Sequence, residues 1–177
     1  MRITYGRPER MIRFQELLKK EQLEYFLPMR VDYQKTDDWN VRKSYVPAVN
    51  GLIFIHSTQE ELTNLKMTRK GFEPMHYFMN HFAETEADRV LVIPDRQMAI
   101  FRMVASSGAD GLEFFSDESI VNYKQGDKVR VKEGPLKGAE GYIKRIKKDR
   151  RLLVAIEGFV AVATSFIPPQ FLEVIPQ

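Results

Sequence analysis

The 177-residue chain contains no cysteine. That excludes a disulfide framework, a thiolate zinc site and a cysteine nucleophile, and it agrees with a reducing compartment. Long apolar runs are also missing: none approaches the ~20 residues that a membrane-spanning helix needs. The opening stretch, Met1 to Arg13, is charged and lacks the apolar segment of a signal peptide. The expected location is therefore the cytoplasm, with no membrane partner. Histidine is scarce, and His56, His76 and His81 show neither an H-E-x-x-H pattern nor another ligand spacing, so they read as core or surface residues and no metal is expected. The glycine-rich loop at 134–141 is no phosphate loop, because Lys137 stands between the glycines and Ala139 follows Gly138. Asp37-Asp38 and Glu60-Glu61 have no signature partner for acid–base work, and the second pair suits the first turn of a helix. Neither catalysis nor a cofactor is expected.

What is present is enough apolar material, 44% of residues, for one large domain or two small ones. The net charge of +3 conceals an asymmetry: residues 1–120 carry 16 Lys/Arg against 18 Asp/Glu, and residues 121–177 carry 11 against 6. The C-terminal part is the basic part. Such an excess can meet phosphate, and solvated strand faces are also rich in lysine as protection against edge pairing.

Periodicity divides the chain. Met11, Phe14, Leu17 and Leu18 fall at helical spacing behind Pro8, predicting an amphipathic helix from Pro8 to about Glu21. A short strand at Met1–Tyr5 precedes it. Residues 25–33 read as a strand interrupted by Pro28, and polar "QKTDDWNVRKS" as a long connection. Leu52–His56 is β-rich, and Thr58 is a good N-cap for a helix over Gln59–Lys66 with Glu61 at the capping-box position. A weaker strand is expected near Met75–Met79, and Val90–Ile93 leads into the next helix. Pro94-Asp95 then starts a helix whose buried face is Met98, Phe101, Met103 and Val104. These elements predict a small α+β sandwich over residues 1–105. Between 106 and 123, "SSGADGLEFFSDESIVN" loses regular periodicity and reads as a linker around an aromatic island at Leu112–Phe115.

Residues 124–177 read as all β. In "KVRV", Val129 and Val131 point one way and Lys128, Arg130 and Lys132 the other. "GPLKG" supplies a turn, "KKDRR" a hairpin tip, and "LLVAI", "VAVATSFI" and "FLEVI" the later strands. Ile143 and Ile146 are three apart, so a strand carrying both to one core must bend or bulge. The prediction is a five-stranded SH3-like barrel.

The stretch "GDKVRVKEGPLKGAEGYIKRI", with Gly126-Asp127, alternating valines, Gly134-Pro135-Leu136, Gly138 and Gly141, resembles a KOW motif in the form carried at the C-terminus of NusG transcription factors. The first 105 residues resemble the NusG N-terminal (NGN) domain in element order and in "YVPAVNGLIFIHS", and "VIPDRQMAIF" is similar to the Bacteroidetes UpxY paralogues, regulators of capsular polysaccharide operons. KOW motifs also occur in ribosomal proteins, so a KOW-containing ribosome or RNA-binding protein is the alternative. The resemblance departs at three places: the first strand lacks its usual Trp-Tyr and is expected to be clipped, Asn50-Gly51-Leu52 replaces an aromatic before the central strand, and Val160-Ala161 follows Phe159 where Gly-Arg is usual.

The resemblance implies an NGN-type sandwich with an antiparallel sheet and helices, followed by a KOW barrel, in a monomeric transcription antitermination and elongation factor. Its N-terminal domain would grip the β' clamp helices of RNA polymerase through Tyr5, Leu52, Phe54, Tyr77 and Phe78. Leu52 and Phe54 lie on a strand, where core and partner-facing roles both fit their spacing. Arg7, Arg10 and Arg13 would meet non-template DNA or nascent leader RNA, although arginine at helical spacing also makes a solvated face. Phe159 would contact a termination factor or ribosomal protein recruited by the KOW domain.

Overall fold

The computed structural model describes residues 2–3, 7–35, 40–79, 85, 89–108, 111–116, 126–146, 148–156 and 160–176. Over these the chain is mixed α+β with antiparallel sheets, and it forms two compact units, Met1–Val92 and Ile93–Gln177.

The first unit runs β1 (Arg2–Ile3), α1 (Pro8–Lys20), β2 (Glu24–Phe26), β3 (Met29–Lys35), β4 (Val41–Pro47), β5 (Phe54–His56), α2 (Gln59–Thr68) and β6 (Met75–His76). Helical spacing puts Met11, Phe14 and Leu18 of α1 on one face, and all three are buried. They join Leu23, Leu27, Ile53, Leu62, Phe72 and Met75 in one core, where the Phe14 ring meets Phe72 edge-on at 5.4 Å. Burying a side chain of that size stabilises the fold by roughly 2 kcal/mol. The helix stops where Gln22 turns left-handed (φ 56), and the Gln22 and Leu23 N–H groups return to the Lys19 and Leu18 carbonyls.

Thr58 caps α2 as its residue type predicts, its hydroxyl accepting from the Glu61 N–H at 3.1 Å. Glu61 does not close the capping box; its carboxylate accepts from the Ser57 hydroxyl instead. Three antiparallel pairs, β1–β6, β2–β5 and β3–β4, make up the strands of this unit. An isolated bridge joins Met79 and Val90, with the Leu91 N–H donating to the Phe78 carbonyl. The polar run expected as a connection is part of a hairpin: β3 and β4 pair without interruption from Met29–Pro47 to Lys35–Val41.

The second unit holds α3 (Asp95–Ala105), β7 (Glu113–Ser116), β8 (Lys128–Val131), β9 (Glu140–Ile146), β10 (Asp149–Ile156), β11 (Val160–Phe166) and β12 (Leu172–Val174). Its six strands form one antiparallel sheet in the order β12-β8-β9-β10-β11-β7. The five predicted strands are all there, and β7 is a sixth from within the stretch that reads as a linker.

The boundary between the units falls at Val92/Ile93 rather than at 105 because α3 packs on β10 and β11, burying Phe101, Val104 and Ala105. Met103 is exposed, so the helix presents a narrower apolar face than expected. Gln97 Nε2 also donates to the Ala155 carbonyl at 3.2 Å.

Ile143 and Ile146 do not share a face. The β9–β10 register is continuous, Ile143 lying opposite Leu152, while Ile146 packs on the cluster of Leu153, Ala161 and Ala163. The irregularity lies instead between β10 and β11, where Arg151 pairs with Phe166 and Leu153 with Ala163. The extra residue on β11 leaves the Leu152 N–H out of the ladder, and the buried Thr164 hydroxyl accepts it at 3.3 Å while donating to the Ser165 carbonyl at 2.7 Å.

Candidate interaction surfaces

Alternation along β2 and β5 creates two apolar faces. Tyr25, Ile53 and Ile55 pack with the α1–α2 core, so Phe26, Leu52 and Phe54 face the other side. Phe26 and Phe54 are register partners whose rings stack at 6.2 Å and 24°. From the sequence, Leu52 and Phe54 are expected as partner-facing anchors. The structure encloses both, at 1% and 6% exposure, because three consecutive residues, Leu52, Ile53 and Phe54, are buried and the strand is covered on each side. Among the described residues of this second face, Leu52 and Phe54 are enclosed and Phe26 is half-buried.

Tyr77 is half-buried against the core, and its hydroxyl is fixed to α2, 2.9 Å from Thr63 Oγ1 and donating to the Gln59 carbonyl at 3.1 Å. Phe78 is half-buried next to it, on the backbone segment that pairs with Leu91. Tyr5 lies outside the described residues.

Arg7, Arg10 and Arg13 are all exposed at the start of α1. Arg7 is the N-cap, and its carbonyl accepts from the Arg10 and Met11 N–H groups. A helix N-terminus carries positive partial charge, so cations there cost a few tenths of a kcal/mol rather than stabilising the helix. The helix dipole therefore does not account for their position, and all three residues are exposed.

In the second unit, the hairpin β8–β9 carries the glycine-rich run. Leu136 is buried under its turn, closed by the Gly138 N–H to the Val131 carbonyl at 2.8 Å. Gly141 is required by close approach rather than by a left-handed backbone: a β-carbon there would overlap the Leu153 carbonyl of β10. Glu140 Oε1 accepts from Arg130 Nε (2.9 Å) and Nη2 (2.7 Å) and from Arg96 Nη2 (3.0 Å). The Arg130 hydrogen bond, with the charges of both guanidiniums, holds the Glu140 carboxyl below the usual range against the opposing effect of burial.

Arg151 is 12% exposed and reaches Glu113 Oε1 of β7 at 3.0 Å, tying the sixth strand to β10. Lys144 stands opposite it in the ladder, and burial pushes the Lys144 amine below its ordinary pKa. Phe159 lies outside the described residues, next to Val160 at the start of β11.

Sequence reasoning missed the β3–β4 ribbon. Ladder register and alternation put Val31 and Tyr33 of β3 on the same face as Tyr45, Lys43 and Val41 of β4. Tyr33, Val41 and Tyr45 are 62%, 61% and 62% exposed, and Lys43 Nζ lies 5.8 Å from the Tyr45 ring centroid. The signal was the period-two pattern Val41, Lys43, Tyr45, embedded in a run too polar to suggest a strand.

No protein-family model and no curated protein matches the chain. Among the described residues, no helix is long and apolar enough to cross a membrane.

Proposed function

We propose that the protein is a NusG-like transcription elongation factor of the UpxY kind, an antiterminator for a polysaccharide biosynthesis operon. In this reading the first unit is an NGN-type domain that binds the β' clamp helices of RNA polymerase, and the barrel is a KOW domain that recruits a termination factor or ribosomal protein. The observation that carries it is the strand order of the second unit. The hairpin bearing "GDKVRVKEGPLKGAEGYIKRI" is flanked by the C-terminal strand, Leu172–Val174 pairing with Val131–Val129, an order that suits an SH3-like KOW barrel.

The polymerase contact is assigned to the face of β2 and β5 carrying Leu52 and Phe54, with Tyr5, Tyr77 and Phe78. Because Leu52 and Phe54 are enclosed, engagement through them requires the groups that cover them to give way. A helix lying in an apolar groove needs such anchors. Arg7, Arg10 and Arg13 are assigned to phosphate of the non-template strand or leader RNA, and Phe159 to the KOW partner. Tethering on polymerase raises the effective concentration of a weak KOW contact.

The test is retention of the full chain on immobilised RNA polymerase, with an excess of isolated clamp-helix fragment as competitor. Retention that the fragment abolishes supports the proposal. Absence of clamp-dependent retention, combined with salt-sensitive binding to ribosomal RNA, removes it in favour of a ribosome or RNA-binding protein.

A further inference from the structure

We propose that the aromatic face of the β3–β4 ribbon is a binding platform for single-stranded nucleic acid, distinct from the arginine row of α1. This goes beyond the elongation-factor reading and rests on the ribbon alone. Tyr33 is directly across the ladder from Lys43, and Tyr45 is two residues further along β4, opposite Val31. The two tyrosines are therefore diagonal neighbours, about 7 Å apart in an antiparallel ladder. Lys43 stands beside both, its ammonium over the Tyr45 ring.

Three features separate this face from an ordinary solvated one. Two large rings and a valine are each more than 60% exposed on a single two-stranded ribbon, where burial against the core ends with Met29 and Pro47 at its base. The face carries a cation and, among the described residues, no carboxylate. Asp32, the one acid among the ribbon's described residues, belongs to the opposite face, 3.5 Å from Arg30 Nη1 and accepting from Gln34 Nε2 at 3.3 Å. Among the described residues the face is therefore positive, complementary to an anionic backbone.

Aromatic rings spaced for successive bases, with a lysine between them for a phosphate, are the chemistry of sequence-tolerant single-strand binding. A duplex hides its base faces and cannot use the rings. A protein partner would meet the same apolar surface, but the lysine between the rings, with no acid among the described residues of this face, favours a polyanion.

The test is fluorescence anisotropy of labelled 12-nucleotide DNA and RNA oligomers, with a matching duplex, against the full chain and its variants. Single strands of either sugar, bound more tightly than duplex, are expected. Tyr33→Ala and Tyr45→Ala should each weaken binding about ten-fold, the loss of one stacked base, while Tyr33→Phe and Tyr45→Phe retain it. Lys43→Gln should lower the slope of log K against log salt by about 0.7, one phosphate contact. Thermal unfolding of each variant, expected to match the parent because the rings are exposed, separates lost contact from lost fold. The proposal is overturned if no single strand binds, or if binding persists in both alanine variants and falls only with Arg7→Gln/Arg10→Gln/Arg13→Gln. It is likewise overturned if the alanine variants lose retention on RNA polymerase while oligonucleotide affinity stays unchanged, which would make the face a protein contact.

Discussion

The Leu153 carbonyl of β10 occupies the space that a β-carbon on Gly141 of β9 would need. The nearest obstacle is backbone, with Leu152 Cδ1 at 3.0 Å as the next, so the strands must part for any larger residue. Gly141→Ala is expected to destabilise the chain by about 1–3 kcal/mol, the range for overpacking. Gly134 has open space around its missing β-carbon and only a left-handed backbone (φ 84) against it, so Gly134→Ala should cost about 1 kcal/mol. Urea denaturation of the two variants, followed by the β-sheet signal, checks the order; equal losses would contradict it.

Thr164 is buried, and its hydroxyl accepts the N–H that the β10–β11 irregularity leaves outside the ladder. Thr164→Val keeps the shape and removes the acceptor, leaving the Leu152 N–H buried without its partner. The expected cost is about 1–3 kcal/mol. Thr164→Ser, which restores the acceptor, should recover most of it in the same denaturation measurement.

Glu140 gives the second unit a pH dependence of defined sign. Its carboxyl titrates below the ordinary value of 4.5 because Arg130, and then Arg96, favour the ionised form. The stabilisation is fully present above that ordinary value and is lost as pH falls through the depressed folded value. Arg130 is 45% exposed and solvent weakens the pair, so its contribution is about 1 kcal/mol. Melting temperatures from pH 7 down to pH 3 should fall more steeply for the parent than for Glu140→Gln, which lacks this titration; parallel curves would contradict the assignment.

The α2 cap offers a further check in the first unit. Thr58→Ala removes the hydroxyl that accepts the Glu61 N–H and should cost about 1 kcal/mol. Thr58→Asp should be close to neutral because its carboxylate can take the same N–H. Thermal unfolding of both variants checks the pair of outcomes.

Elements with a strong one-sided pattern were legible in the sequence. Met11, Phe14 and Leu18 specify α1, Thr58 marks the start of α2, and the valines of "KVRV" are both buried in β8. Periodicity says which face of an element is apolar, not what will cover it. Phe101 and Val104 thus announce an amphipathic α3 without revealing that it packs on β10 and β11. Phe115 looked like an isolated aromatic until pairing with Ala161 placed it in the sheet.

The β3–β4 hairpin was hidden for the opposite reason. A ribbon with two solvated outer faces needs no apolar alternation, so its middle reads as a polar connection. Leu52 and Phe54 show the limit most clearly: a run buried on both faces has the same composition as an exposed anchor. Only the cover distinguishes them, and the cover is not local in sequence.

The most direct measurement of the central claim is photo-crosslinking from position 78, with a photoreactive phenylalanine analogue replacing Phe78 in the full chain bound to core RNA polymerase. The account predicts crosslinks to the clamp helices of the β' subunit, suppressed by excess clamp-helix fragment. Crosslinks confined to other polymerase surfaces, or to ribosomal RNA and its proteins when ribosomes are supplied, would contradict it.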